Sequence, residues 1–340
     1  MKKINIAIIG STGNVGREIL KILVERKFPF GKIELLASAR SVGKKINFQK
    51  KKSIEVKNLE GFNFKAVDIV FSSAGASVSK NFVPKALEKG AIVIDNTSAF
   101  RLEKNVPLVV PEVNADVLKN FKKIGIIANP NCSTIQMVTA LKPIHDQLGI
   151  KRIVVSTYQS TSGAGKSAMD ELFHQTLDVY RNKSLIPNIF TKKIAFNLIP
   201  HIDDFLDEGQ TKEEQKMVDE TKKILDKKIS VFATCVRVPV FVGHGESINI
   251  ETRKLVKLEK VREILNNASG VSLIDKRENG GYVTPDESAG LDDVFVSRLR
   301  IDKSVKNGLG MWVVSDNIRK GAALNSVQIA EELIKRGLYE

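Results

Sequence analysis

Short β-branched runs alternate with helical patterns along the first third of the chain. Asn5 to Ile9 reads as a strand. Val15 to Arg26 follows as a helix, because Val15, Ile19, Leu20, Ile22 and Leu23 recur at helical spacing. Further strands are predicted at Ile33 to Ser38, Val67 to Ser72, Ile92 to Asp95 and Ile124 to Ala128, with a helix at Val78 to Glu88. Nearly continuous apolar strands between helices predict a parallel sheet covered on both faces. The pattern then changes. Arg152 to Gln159, Phe232 to Val238, Ser247 to Thr252, Val294 to Ile301 and Met311 to Ser315 are longer, and several alternate. They predict a second, mixed or antiparallel sheet with one face on helices. Asn325 to Arg336 returns to a helix whose apolar stripe is Val327, Ile329, Ala330, Leu333 and Ile334. The boundaries read from this change are 1–128, completed by a C-terminal helix at 318–340, and 129–317.

Composition narrows the class. The chain has 340 residues, 42% hydrophobic and 27% charged, which suits two folded domains and argues against global disorder. Its apolar runs are far shorter than the ~20 residues that span a bilayer. Met1-Lys2-Lys3 leads directly into a strand without an apolar leader, so a cytoplasmic location is expected. Two cysteines, Cys132 and Cys235, make neither a disulfide framework nor a Cys-rich zinc site, and no metal is expected. The net charge of +14 raises the question of nucleic acid. Basic residues are spread along the chain, however. The one tight cluster, Lys50-Lys51-Lys52, is expected in a loop, and no nucleic-acid-binding signature accompanies it. A Lys-rich solvated surface fits better, with the added effect that its positive field would draw in anionic small molecules.

Candidate chemistry begins at Gly10-Ser11-Thr12-Gly13-Asn14-Val15-Gly16, between the first strand and the first helix. Glycines permit a tight turn and close backbone approach, and helix N–H groups meet a pyrophosphate. A dinucleotide site is therefore expected. The expected fold class is α/β, a Rossmann-like dinucleotide-binding domain plus an α+β domain with a mixed sheet, which the family resemblance given below makes the catalytic and dimerisation domain. NAD sites place an acid after the second strand. Here the residues are Ser38-Ala39-Arg40-Ser41, and a guanidinium with two hydroxyls suits the 2′-phosphate of NADP.

Cys132 stands in Asn129-Pro130-Asn131-Cys132-Ser133-Thr134, just before a helical pattern at Ile135 to Lys142 that Pro143 is expected to stop or kink. A helix start stabilises thiolate and offers N–H groups to an oxyanion. Cys235, inside an apolar strand, reads as structural. Of four histidines, His145, His174 and His201 read as surface or packing residues. His244, in Val242-Gly243-His244-Gly245, reads as an imidazole presented by a glycine turn with little apolar cover, titrating near neutrality. Arg237 lies upstream on the preceding strand, and Arg101 ends Asp95-Asn96-Thr97-Ser98-Ala99-Phe100-Arg101, where it could clamp an anion. The strand exit Tyr158 to Lys166 is polar and glycine-rich but lacks a complete NTPase phosphate loop.

Together the glycine loop, Ser-Ala-Arg-Ser, Asn-Pro-Asn-Cys-Ser-Thr, the glycine-flanked histidine and Ser315-Asp316-Asn317 closely resemble the aspartate-semialdehyde dehydrogenase family, end to end. The resemblance implies reduction of L-aspartyl 4-phosphate to L-aspartate 4-semialdehyde and phosphate with NADP, in lysine, threonine, methionine and diaminopimelate biosynthesis. It implies Cys132 as nucleophile, His244 as acid/base and Gln159 as a positioning residue. It implies Arg101 and Lys216 on phosphate, Arg237 on the substrate carboxylate, Glu213 on its amino group, and a further substrate contact at Asn131. Cofactor contacts fall on Gly10, Ser11, Thr12, Gly13, Asn14, Val15, Ser38, Arg40, Ser41, Ser162, Gly163 and Asn317. The residues alone would leave the Glu213-Glu214-Gln215-Lys216 helix as a solvated face. Gly245 departs from the Ser or Ala expected there. The resemblance also implies a homodimer through the second domain, with no nucleic acid or membrane partner. N-acetyl-glutamyl-phosphate reductase is the nearest alternative enzyme, and a non-catalytic NADP-binding regulator the alternative outside catalysis.

Overall fold

The computed structural model describes residues 3–48 and 52–338. They form two units, Met1–Asn131 with Ala322–Glu340, and Cys132–Gly321.

The first unit runs β1 (Ile4–Ile9), α1 (Asn14–Glu25), β2 (Phe30–Ala37), β3 (Lys45–Phe48), β4 (Lys52–Asn58), β5 (Ile69–Ser72), α2 (Ala76–Leu87), β6 (Ile92–Asp95), α3 (Pro111–Asn114) and β7 (Ile126–Ala128). The sheet order is β3-β4-β2-β1-β5-β6-β7. Every pair is parallel except β3 with β4. The strands are apolar because both faces are covered, and Ile6, Ile8, Ile69 and Phe71 are wholly buried. β1 lies between β2 and β5, so the chain leaves it in opposite directions for its two neighbours. Such a switch point opens a crevice beyond the strand's carboxyl end. The expected loop at the lysine cluster is corrected in part: Lys52 opens β4, where antiparallel pairing with β3 holds it, while Lys50 and Lys51 lie outside the described residues.

The second unit runs α4 (Cys132–Leu148), β8 (Ile150–Gln159), α5 (Lys166–Tyr180), α6 (Lys212–Ile224), β9 (Ser230–Arg237), β10 (His244–Thr252), α7 (Leu258–Asn266), β11 (Val271–Leu273), α8 (Pro285–Ser288), β12 (Val294–Asp302) and β13 (Gly308–Ser315). Its six-stranded sheet has the order β11-β12-β13-β10-β8-β9. It is mixed: β8 with β9 and β11 with β12 are parallel, and the other neighbours antiparallel. One face packs Met137, Leu141 and Ile144 of α4 against Ile153, Ile248, Ile250 and Met311. The chain then returns to the first unit as α9 (Leu324–Lys335), whose Leu324, Val327, Ala330 and Leu333 join that unit's core.

Pro143 does not end its helix. α4 continues to Leu148, because the residue that loses a hydrogen-bond donor sits in a helix buried along most of its length, and packing outweighs the loss.

The glycines around His244 also differ from expectation. His244 is the first residue of β10, paired with Ser315, and not the tip of an exposed turn. Gly243 has φ +93°, and a Cβ there would meet the Pro285 carbonyl oxygen at 2.1 Å. A Cβ on Gly245 would meet the Trp312 indole at 2.5 Å. Both glycines are set by neighbours distant in sequence, so the departure at Gly245 is a packing requirement. Gly245→Ala should therefore lower unfolding free energy by about 1–3 kcal/mol through overpacking, read from urea midpoints, and an unchanged midpoint would refute it.

Candidate active site

The polar core of the second unit lies where β8, β9 and β10 begin or end. β8 and β9 are parallel and in register, so Gln159 lies beside Arg237. Strand alternation puts Gln159, Arg237 and His244 on the helix-covered face, and all three are buried. Cys132 is the first residue of α4 and partly exposed. The chain after Asn317 packs on it so closely that a Cβ on Gly321 would lie 2.8 Å from the Cys132 Cβ.

Arg237 anchors the cluster. Its Nη1 donates to the Ser160 carbonyl at 2.7 Å. Burial pulls the guanidinium below its ordinary pKa, while Glu213 and Cys132 pull it back. Glu213 is buried and accepts from Gln159 Nε2 at 3.1 Å and from Lys216 Nζ at 3.2 Å. Lys216 also reaches Asp203 at 2.6 Å. Burial alone would lower the Lys216 pKa, but Glu213 and Asp203 outweigh it and hold the ammonium above its usual value. The solvated-face reading of Glu213 to Lys216 is thus wrong. Thr211 caps α6 through a capping box and turns its first turn inward.

His244 departs furthest from the sequence reading. The ring is wholly buried. Burial first, then Arg237, pushes its pKa down to about 3, so the imidazole is neutral and does not titrate near neutrality. Nδ1 accepts from the Ser160 backbone N–H at 3.1 Å and lies 3.0 Å from Ser160 Oγ. Nε2 has no hydrogen-bond partner among the described residues. Gly163 leaves space there, since a Cβ would fall 3.3 Å from Nε2 and 3.1 Å from Arg237 Nη1. Asn317 Oδ1 accepts from the Gly243 N–H at 2.9 Å and from the Ser160 and Ser162 hydroxyls at 3.1 Å. Cys235 is buried, and its thiol is pushed well up by burial and then by Glu213, as befits a packing residue.

In the first unit, Arg101 is fixed across the ends of β6 and β7. Its Nε donates to the Asn129 carbonyl and one Nη to the Asn96 carbonyl, both at 2.9 Å. Asn131 is buried in the same unit. The glycine loop opens onto a cleft of about 710 Å³ lined by Gly10, Thr12, Gly13, Ser38, Arg40, Asn58, Leu59, Glu60, Ser73 and Phe82, among others. Gly16 admits no side chain, because a Cβ would meet the Gly10 carbonyl oxygen at 2.4 Å. Helix and loop are thereby held close, as a pyrophosphate cradle requires. Ser11 is buried, with its hydroxyl donating to the Leu36 carbonyl, and Val15 packs on the core. Ser11 contributes backbone to the loop and Val15 to the first turn of α1. Asn14 opens α1, and Ser41 ends the short turn that carries Arg40.

Residues 5–121 match the family model described as semialdehyde dehydrogenase, NAD binding domain, and residues 141–320 the model described as semialdehyde dehydrogenase, dimerisation domain. The chain is 56% identical over 337 residues to aspartate-semialdehyde dehydrogenase of Aquifex aeolicus, covering 98% of each chain. The chain belongs to the aspartate-semialdehyde dehydrogenase family. A solved structure from Vibrio cholerae, aspartate semialdehyde dehydrogenase II complexed with ASA, superposes with a TM-score of 0.96 at 49% identity, covering 98% of this chain and 99% of that one. The family structure with NADP from Candida albicans has a TM-score of 0.75 at 27% identity and 98% coverage of each. Among the described residues, no helix is long and apolar enough to cross a membrane.

Several site-forming residues carried no sequence signal that singled them out. Gln136 accepts from Ser315 Oγ at 2.8 Å and sits one turn beyond Cys132, tying α4 to β13. Glu246, two residues along β10 from His244, is wholly buried, and neither carboxyl oxygen has a hydrogen-bond partner among the described residues. Burial raises its pKa well above the ordinary range, against the pull of the nearby Gln136 amide. A carboxyl raised in the fold weakens stability as pH climbs above the unfolded value, because the unfolded chain then sheds a proton that the fold retains. Glu246→Gln should remove that penalty. Its gain in melting temperature should be larger at about pH 8 than at about pH 5, and an equal shift at both would show that Glu246 is ionised in the fold.

Proposed function

We infer that this chain performs the reductive dephosphorylation of L-aspartyl 4-phosphate to L-aspartate 4-semialdehyde through a thioester on Cys132. The observation that carries this reading is the placement of Cys132, at a helix start and within electrostatic reach of buried Arg237, in the unit that also holds Gln159, Glu213 and His244. The helix start and the guanidinium favour thiolate. The thiolate attacks the acyl carbon, the C–O bond to phosphate breaks, and phosphate leaves with that electron pair and takes up a proton. A thioester accepts hydride more readily than a carboxylate does, which is the gain from covalent catalysis.

Arg237 has the planar fork that pairs with the substrate's α-carboxylate, and Glu213 the charge that pairs with its α-ammonium. An N-acetylated substrate lacks that ammonium, so Glu213 supports aspartyl phosphate over N-acetyl-glutamyl phosphate. Arg101 and Lys216 supply charge for phosphate. Asn131 contacts substrate, and His244 addresses the reacting oxygen. The first-unit cleft fits a dinucleotide, and Arg40 at its rim favours the 2′-phosphate of NADP. That cofactor supplies the hydride. Gly10 to Val15, Ser38 and Ser41 line its path, and Ser162, Gly163 and Asn317 are assigned to its nicotinamide side. A second copy of the chain is the partner. Supporting this, Phe232 is 63% exposed, on the sheet face opposite the helices, where Tyr158 and Trp312 pack ring to ring. The enzyme is assigned to the cytoplasm.

The deciding experiment is phosphate-dependent NADP reduction with aspartate semialdehyde and, in parallel, with the N-acetylglutamate analogue. Cys132→Ala should abolish turnover while Cys235→Ala retains most of it, and rapid-quench mass spectrometry should find the acyl adduct on Cys132. An adduct elsewhere ends the mechanism. Arg40→Ala should weaken NADP by about 1.5–3 kcal/mol, roughly 10–150-fold in Michaelis constant, with little change for NAD. Equal use of both cofactors by the unaltered enzyme would refute that assignment.

A further inference from the structure

Glycine loses more backbone freedom on folding than any other residue, so a helical turn disfavours it unless a side chain has no room. Gly321 is such a case. It lies inside the π-helical turn Arg319–Ala323 that leads into α9, and its φ is not positive, so its backbone suits any residue. A Cβ there would lie 2.8 Å from the Cys132 Cβ and 3.3 Å from the Cys132 Cα, inside the ~3.5–4.0 Å at which carbon atoms rest. The next neighbour, the Asn317 Cβ at 3.6 Å, would be in ordinary contact. Among the described residues, Cys132 is therefore what excludes a side chain at 321.

Neither side of that contact yields easily. The Cys132 Cβ moves only with its backbone, and the residues that follow it in α4, Ser133 to Leu141, are buried. Opposite it, the Gly321 N–H closes the turn by donating to the Asp316 carbonyl at 3.0 Å. The Asp316 carboxyl group grips the same turn. Its Oδ1 accepts from the Ile318 N–H at 2.7 Å and from the Arg319 N–H at 2.9 Å. Its Oδ2 accepts from the Gly290 N–H, on a separate segment, at 2.7 Å. Arg319 is tied in turn to Asp292, donating to Oδ1 from Nε at 2.8 Å and from Nη2 at 2.6 Å. The turn is thus fixed independently of Cys132, and the cysteine has to fit it.

We propose that Gly321 is a positioning residue for the nucleophile: the turn clamped by Asp316 forgoes a side chain at 321 so that Cys132 keeps its place at the start of α4. The inference rests on the reading that Cys132 attacks the acyl carbon. The bare Cα of Gly321 seats the cysteine against the turn and occupies one side of its Cβ, which leaves Sγ fewer staggered positions. In that seat the thiol lies at the helix start and within electrostatic reach of Arg237, the two influences that favour thiolate. A methyl group at 321 would have to open the 2.8 Å separation to at least ~3.5 Å, and Cys132 would move with it. A displacement of the attacking atom on that scale costs turnover although no reacting group has changed. The glycine thus weakens its own turn and aligns the attacking sulfur.

Variants of the intact protein at the two positions, singly and together, test this. Gly321→Ala should lower kcat, counted per NADP-binding protein, by about 10–100-fold at an unchanged Kd for NADP. Alkylation of its Cys132 by iodoacetamide, located by mass spectrometry, should follow a pH profile displaced upward from that of the unaltered protein, because a thiol moved from the helix start loses thiolate stabilisation. A glycine with a merely structural role would leave that profile in place. An unchanged profile or full turnover therefore overturns the proposal, and weakened NADP binding overturns it by assigning Gly321 to the cofactor. Cys132→Gly removes the Cβ that a side chain at 321 would meet. On that background Gly321→Ala should raise the melting temperature, as alanine does in a helical turn, whereas with Cys132 present it should lower it. Equal shifts on both backgrounds show no coupling and overturn the proposal, as does failure to fold on both. Folding only on the Cys132→Gly background is the expected coupling at its strongest. Turnover retained by Cys132→Gly itself would instead refute the underlying reading of Cys132, whatever the coupling.

Discussion

A guanidinium buried away from water must be satisfied on every side, and at Arg237 that requirement organises the second unit. Its nearest hydrogen bond fixes the Ser160 carbonyl, and so the direction in which the chain leaves β8. The same peptide segment turns its N–H toward His244. The charge is balanced by Glu213, which is held in turn by Gln159 and Lys216. Glu213 can serve only because the capping box of α6 starts the helix at the right place. Cation, counter-charge and imidazole are therefore one construction, and the parallel register of β8 and β9 brings its parts together.

The two units meet their polar demands differently. The first fixes several of its buried polar groups at strand ends, around a largely apolar sheet. Arg101 there is fixed by backbone carbonyls, and Asp95 by the Ser79 and Thr97 hydroxyls. The second unit buries polar groups on the sheet itself. Glu246 lies among β-strand neighbours with neither oxygen paired among the described residues, and a fully buried carboxyl of that kind is costly. Its neutral form limits the cost, consistent with the direction in which burial pushes it.

Much of this was legible along the chain. Continuous apolar strands such as Ile92–Asp95 gave away the parallel sheet, and alternating Val294–Asp302 the mixed one. The glycine loop and Cys132 were recognisable because their chemistry depends on local sequence, a turn leading into a helix start. What could not be read depended on distant partners. Pro285 and Trp312 dictate Gly243 and Gly245, yet nothing near those glycines in sequence points to them. The burial of His244 follows from strand pairing with Ser315, not from its flanking residues. Glu213 looked solvated because its helix is charged throughout, and only the docking of α6 beside β9 decides which charges turn inward.

Trp312 carries one further consequence. It is the sole tryptophan of the chain. Its indole covers Gly245, lies 5.6 Å from the Tyr158 ring and donates Nε1–H to the Val283 carbonyl at 3.0 Å. The tryptophan emission of the protein thus comes from a single, half-buried indole. It reports on the strand that begins at His244, on the strand that ends at Gln159 and on the sheet face opposite the helices. The fold carries its own optical probe of the junction between these strands, with no label to attach.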